Sequence, residues 1–160
     1  MSLVPILRNV DVFYELTDAQ LERIAAICQE KRCPAGTVIF DENSASDELY
    51  IVVSGEVEIL VDPRMLGVEQ GPGPTTIATI HAGQIFGEVA LVDQGLRSAA
   101  ARCAAHDTRL LVIRREDLLR LCEEDYELGY RVMRNIASAL AFKIRSTDIL
   151  VRGQLLWRPK

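Results

Sequence analysis

Histidine is scarce in this 160-residue chain: there are two, His81 and His106. A His-x-His pair with a further His and Glu cannot be assembled from them, which argues against metal-centred oxygenase or isomerase chemistry. The cysteines Cys28, Cys33, Cys103 and Cys122 show no Cys-x-x-Cys spacing and no pairing with histidine. They are expected as reduced thiols in or near the core, not as zinc or iron–sulfur ligands. No uninterrupted apolar run approaches the ~20 residues that span a bilayer. The start lacks the basic stretch, apolar stretch and cleavage site of a secretory signal. Basic residues are outnumbered, 18 Lys and Arg against 23 Asp and Glu, for a net charge of −5. That argues against a general nucleic-acid or anionic-membrane surface, so an anionic ligand needs a local positive site. A Gly-x-Ser-x-Gly elbow, a Gly-rich triphosphate loop with its lysine, and a Cys/His nucleophile signature are missing too. The expectation is a cytoplasmic, non-enzymatic protein with no cofactor, no metal and no membrane partner.

What is present suits a globular core: 49% of residues are hydrophobic and 26% charged. Thr17 and Gln20 match a capping box, and Leu21, Ile24, Ala25 and Cys28 recur at helical spacing. This predicts an N-terminal helical segment over about residues 5–33, ended by Pro34-Ala35-Gly36. From there to about residue 114, short apolar runs are punctuated by Gly36, Gly55 and Gly83. Val57, Ile59 and Val61 alternate with Glu56, Glu58 and Leu60, and Leu49, Ile51 and Val53 alternate likewise, as half-buried strands do. Strands of this kind predict an antiparallel jelly roll or barrel. The Gly- and Pro-rich loop from Asp62 to Pro74 interrupts them and is expected to be mobile. Helical spacing then returns over about residues 115–152. Asp117 to Glu123 form one short helix, and a long one runs from about Tyr126 to Arg152. Val132, Met133, Ile136, Leu140 and Ile144 stripe the long helix. Residues 1–160 read as one domain.

The stretch Phe86-Gly87-Glu88-Val89-Ala90-Leu91-Val92-Asp93-Gln94-Gly95-Leu96-Arg97-Ser98-Ala99 carries the chemistry. Gly87, without a Cβ, lets the backbone approach a ligand closely. Glu88 can accept hydrogen bonds from ribose hydroxyls. Glu88 to Val92 can form one helical turn, whose free N–H groups favour an anion. Arg97 offers a planar fork of donors to two phosphate oxygens. Ser98 adds a hydroxyl, and Ala99 and Ala100 leave room. Taken singly, Glu88 also suits a first-turn carboxylate that favours a helix start, and Arg97 a surface arginine at a strand entrance. Together they suit a sugar-phosphate, whose groups would satisfy both charges.

This segment resembles the phosphate-binding cassette of the cyclic nucleotide-binding domain family. Pro34-Ala35-Gly36-Thr37-Val38-Ile39-Phe40, Leu49-Tyr50-Ile51-Val52-Val53-Ser54-Gly55-Glu56-Val57, Ala82-Gly83-Gln84-Ile85-Phe86-Gly87-Glu88 and Leu110-Leu111-Val112-Ile113-Arg114-Arg115-Glu116-Asp117 also fall in that family's order and spacing. The similarity spans roughly residues 5–145. It implies an eight-stranded antiparallel β-roll, cupin-like, with an N-terminal helix and C-terminal helices. It implies cAMP or cGMP as regulatory ligand, with Glu88 on the ribose 2′-hydroxyl, Arg97 on the exocyclic phosphate oxygens, and backbone N–H groups around Gly87, Glu88 and Ala99 as further donors. Phe86, Val89, Ala90 and Leu91 would wall the ribose pocket. Ser98 is compatible with either nucleotide, and cAMP is favoured. Phe142, Lys143, Arg145 and Trp157 are candidate base contacts, although Phe142 suits a core position and Trp157 a loosely packed tail equally well. The resemblance further implies coupling of the ligand to the last helix, and a homodimer through that helix. Direct DNA binding is not expected, and the effector is not specified. Two other readings stay open: a non-binding interaction or dimerisation module, and a regulatory fragment of a larger transcription factor, kinase or transporter.

Overall fold

Side-chain alternation along the strands sorts the apolar residues into two cores, one on each side of a central sheet. The computed structural model describes residues 2–45, 47–67, 73–93 and 95–156. Its strands are β1 (Cys28–Cys33), β2 (Val38–Phe40), β3 (Glu48–Ser54), β4 (Glu56–Val61), β5 (Thr75–His81), β6 (Ile85–Phe86), β7 (Ala100–Cys103) and β8 (Thr108–Arg114). They form two four-stranded antiparallel sheets, ordered β1-β8-β3-β6 and β2-β7-β4-β5. Helices α1 (Val4–Arg8), α2 (Asp18–Ile27), α4 (Arg115–Glu124) and α5 (Tyr126–Leu156) flank the roll, and the short α3 (Val89–Val92) is set into it. The expected β-roll with flanking helices is what the chain adopts.

Between the sheets, Tyr50, Val52, Leu110 and Val112 of the first meet Val57, Ala101 and Cys103 of the second. On the other side of the first sheet, Leu49, Ile51, Leu111 and Ile113 meet Leu118, Leu128, Val132 and Ile136 of the C-terminal helices and Leu7, Leu21 and Ile24 of the N-terminal ones. β3 is therefore buried on both faces at its centre, where alternation alone suggested a half-buried strand. Full burial explains its near-continuous apolar run. Cys33 and Cys103 are buried and Cys28 and Cys122 half-buried, all four as free thiols. Burial pushes the Cys28 thiol up to about 12.

The N-terminal helical segment is shorter than expected. The capping box forms as predicted, Gln20 N–H donating to Thr17 Oγ1 and Thr17 N–H to Gln20 Oε1. The helix nevertheless ends at Ile27, and residues 28–33 are β1, paired with β8 from Cys28↔Ile113 to Cys33↔Thr108. Gln29-Glu30-Lys31-Arg32 offers no apolar stripe to a helix, and as an exposed edge strand it needs none. In the Asp62–Pro74 loop, Pro63–Leu66 is a 3-10 turn, with Asp62 accepting from Arg64 N–H; residues 68–72 lie outside the described set.

Helix α5 has 31 residues and a length of about 46 Å. Its first half is fixed to the body. Asn135 Nδ2 donates to the Val12 and Tyr14 carbonyls, and Arg131 to that of Glu15. Arg134 pairs with the Glu15 carboxylate at 2.7 Å and holds that carboxyl below the usual range. Beyond Leu140 the helix is exposed: of the expected apolar stripe, Val132 and Ile136 are core, but Ile144 is 62% exposed. Among the described residues no helix is long and apolar enough to cross a membrane. Helices α4 and α5 cross at Gly129, where a Cβ would lie 2.7 Å from the Cys122 carbonyl oxygen and 3.0 Å from its Cα. Gly129→Ala should therefore cost about 1–3 kcal/mol, read as a lower urea midpoint with an unchanged m-value; an unchanged midpoint would show that the crossing relaxes freely.

Candidate ligand-binding site

Arg97 enters from the loop before β7, and its backbone is fixed by the loop before β3. Its N–H donates to the Ser44 carbonyl (2.9 Å) and its carbonyl accepts from the Asn43 N–H (2.8 Å). The side chain is thereby aimed into the roll, where the residue is 7% exposed. Nη2 donates to the Glu48 carbonyl at 2.8 Å and Nη1 to the Gly87 carbonyl at 3.4 Å. The guanidinium lies 4.2 Å from the centre of the Phe40 ring and 5.8 Å from that of Tyr50, a favourable cation–π arrangement. Its Nε–H is buried with no acceptor among the described residues, and no carboxylate there lies within ion-pair distance of it. Burial lowers its pKa, yet a guanidinium stays protonated. Among the described residues the guanidinium is bonded only to neutral carbonyls and rests on ring faces, while Asp47 and Glu48 act on it from beyond ion-pair distance, an arrangement that a closer anion would stabilise.

Gly87 makes this geometry attainable. It has φ +77, and a Cβ there would lie 2.7 Å from Arg97 Nη1 and 3.0 Å from the Glu48 oxygen. The left-handed backbone and the nearness of the Glu48 carbonyl favour glycine, which also leaves the guanidinium its place. Behind it, Tyr50 stacks on Phe86 with centroids 4.9 Å apart. Its hydroxyl donates to the Glu48 carboxylate at 2.6 Å, and burial, followed by that carboxylate, raises the phenol's pKa.

Glu88 precedes α3 and has a side chain only 4% exposed. It is paired with Lys143 of α5, whose amine burial pushes below its ordinary pKa. The two line a cavity of about 760 Å³ together with Gln84, Ile85, Ser138 and Phe142. That volume lies in the range of small-molecule sites. The cavity is bounded by α5, the β5–β6 turn and the 3-10 turn Asp11–Phe13.

The structure brings Gly87 and Arg97 into contact and places Glu88, Phe142 and Lys143 around one cavity, which Gly87, Arg97, Ser98 and Ala99 do not line. Ser98 is exposed and Ala99 half-buried beside Arg97. Phe86 is core between the sheets. Leu91 packs on the helix side of the first sheet and Val89 is 49% exposed, and neither lines the cavity beside Glu88. Ala90 lies within α3, Arg145 is exposed on α5, and Trp157 lies outside the described residues. Phe40, Tyr50 and Glu48 were missed in the sequence, as was the pairing of Lys143 with Glu88. The sparing use of aromatics, 6% of the chain, with three of them meeting here, is the one signal that could have marked the ring cluster. Among the described residues no group of three His, Cys, Asp or Glu side chains could hold a metal.

The family of cyclic nucleotide-binding domains matches residues 30–125, more than half of the chain. The chain is similar to the cyclic AMP receptor protein of Thermus thermophilus, 32% identical over 143 residues that make up 89% of this chain and 61% of that one. It is also similar to isozyme 1 of the cGMP-dependent protein kinase of Drosophila melanogaster, 27% identical over 77% of this chain and 16% of the kinase. The chain thus spans about three fifths of the receptor and a small part of the kinase. Among solved structures, the Thermus thermophilus catabolite activator protein superposes with a TM-score of 0.75 at 30% identity, over 89% of this chain and 62% of that one. A cyclic nucleotide-binding domain from Methylobacillus flagellatus gives 0.78 at 22% identity, over 95% and 82%. With the β-roll, the glycine–glutamate turn and the buried arginine in place, the chain belongs to the cyclic nucleotide-binding domain family.

Proposed function

We propose that this domain is a sensor that binds a cyclic nucleotide through Arg97 and Glu88, prefers cAMP to cGMP, and reports binding through α5. The observation that carries the reading is the buried Arg97 guanidinium, which has hydrogen bonds but no anionic partner among the described residues. A cyclic phosphate supplies that anion in bidentate form. Glu88 would accept from the ribose 2′-hydroxyl, and the Ser98 hydroxyl lies one residue away for a further phosphate contact. The preference for cAMP draws support from the similarity to a cyclic AMP receptor over 89% of this chain. Ser98 suits either base.

Coupling to α5 draws support from the cavity. Glu88 belongs to the cassette and Phe142 and Lys143 to α5, so a ligand filling this space touches both. Such a ligand moves the helix only as far as its affinity differs between the two arrangements. The exposed half of α5 also offers a partner surface. Leu140, Ile144, Thr147 and Val151 keep the four-three-four spacing of a coiled-coil seam, and Ile144 and Val151 are 62% and 47% exposed. A second copy of the same helix is the partner that fits.

Cyclic AMP at 100 times its dissociation constant should stabilise the stripped protein by about 2.7 kcal/mol, a rise in Tm of about 5–10 °C. Arg97→Ala should leave the far-UV spectrum intact and abolish the rise. A variant as responsive as the parent would remove Arg97 from the site. No response of the parent to millimolar cAMP or cGMP would favour an interaction module instead. In light scattering, Ile144→Asp combined with Val151→Asp should convert a dimer to a monomer; a parent that is already monomeric would refute the helix-mediated dimer.

A further inference from the structure

We infer that Lys143 is a built-in competitor of the nucleotide: it occupies the Glu88 carboxylate in the unliganded domain and must leave before a ribose can take that carboxylate. The inference rests on the assignment of Glu88 to the ribose. Its ground is the asymmetry of the pair. The Glu88 side chain is 4% exposed and that of Lys143 56% exposed. The carboxylate is thus the deeper member of the pair, and both side chains line the adjoining cavity. A ribose hydroxyl arriving through that cavity finds the carboxylate already bonded to the ammonium.

The place of Lys143 on its helix gives the competition a consequence. Ile136 and Leu140 still pack on the core, whereas residues 141–145 are exposed. Beyond Lys143, among the described residues, no hydrogen bond or ion pair joins α5 to the roll; Thr147 Oγ1 donates within the helix, to the Lys143 carbonyl. One ion pair therefore fastens α5 where it leaves the body. Exchange of the ammonium for a ribose hydroxyl keeps Glu88 hydrogen-bonded and unfastens the helix. By linkage, the factor by which the fastened helix weakens the nucleotide equals the factor by which the nucleotide weakens the fastening.

Removal of the lysine removes the competitor and leaves a buried carboxylate in need of a donor, so both effects favour the ligand. The test is calorimetric titration of cAMP into the stripped full chain, with Arg97→Ala as the site control. Lys143→Met should bind about tenfold more tightly than the parent, and Lys143→Arg, which keeps the cation, should stay near it. Hydrogen exchange gives a second readout: cAMP should speed exchange in residues 144–152 of the parent, whereas Lys143→Met should exchange at the faster level before ligand is added. A folded Lys143→Met that binds equally or more weakly, with Arg97→Ala still silent, overturns the competition while leaving the nucleotide site standing. Silence of the parent and of Lys143→Met toward cAMP and cGMP overturns both. Silence of the parent alone would be the strongest form of the competition.

Discussion

A positive charge kept inside a β-roll, with no carboxylate among the described residues close enough to pair with it, sets the terms for the rest of this structure. Removal of a guanidinium from water is costly unless donors and charge are both answered. Here the donors are answered in part, by the Glu48 and Gly87 carbonyls, and the charge is met by the faces of Phe40 and Tyr50. Neighbouring features serve this arrangement. Gly87 is glycine because its φ is +77° and a Cβ would lie 3.0 Å from the Glu48 carbonyl oxygen, beside the guanidinium. The loop before β3 is bonded to the Arg97 backbone so that the side chain points inward. The stacked Tyr50 and Phe86 rings make a rigid floor.

The central sheet joins this polar interior to the helices. β3 and β8 put alternate residues into two cores, so that Tyr50 and Leu49, or Val112 and Ile113, are neighbours in sequence and face opposite layers. β3 carries Glu48 and Tyr50 on the Arg97 side and Leu49 and Ile51 against α1, α2, α4 and α5. Close-packed layers transmit small displacements because they have little free volume to absorb them. The helices are in turn tied to one another through polar contacts, Gln20 to Asp125 and Arg23 to Glu124.

Legibility in the sequence followed the range of the interactions. The Thr17–Gln20 cap is local and was readable to the residue, as were the glycine-marked turns; the long C-terminal helix was readable from Tyr126 but runs on to Leu156, past the expected end at Arg152. The roll itself was readable from period-two runs and from the resemblance of four motifs. β1 was not: Gln29 to Arg32 is an edge strand defined by its partner β8, and nothing in its own pattern distinguishes it from a frayed helix end. The burial of both faces of β3 was invisible because alternation says which residues share a face, not what covers it. In the site, Glu88 and Arg97 were legible as chemistry. Their settings were not, since Arg97 meets Phe40 and Tyr50 across strands, and Glu88 meets Lys143 at a separation of 55 residues.

The anchored first half of α5 makes the remainder of the helix a lever. Its packing on the core ends at Leu140, so Lys143 lies 3 residues beyond the anchored part and Leu156 lies 16 beyond it, or about 4.5 Å and about 24 Å along a straight helix. A tilt about that point would move the far end about five times as far as it moves Lys143. The reach of such a lever comes from helix length alone, so lengthening or shortening α5 beyond Lys143 would change how far its end travels for the same tilt.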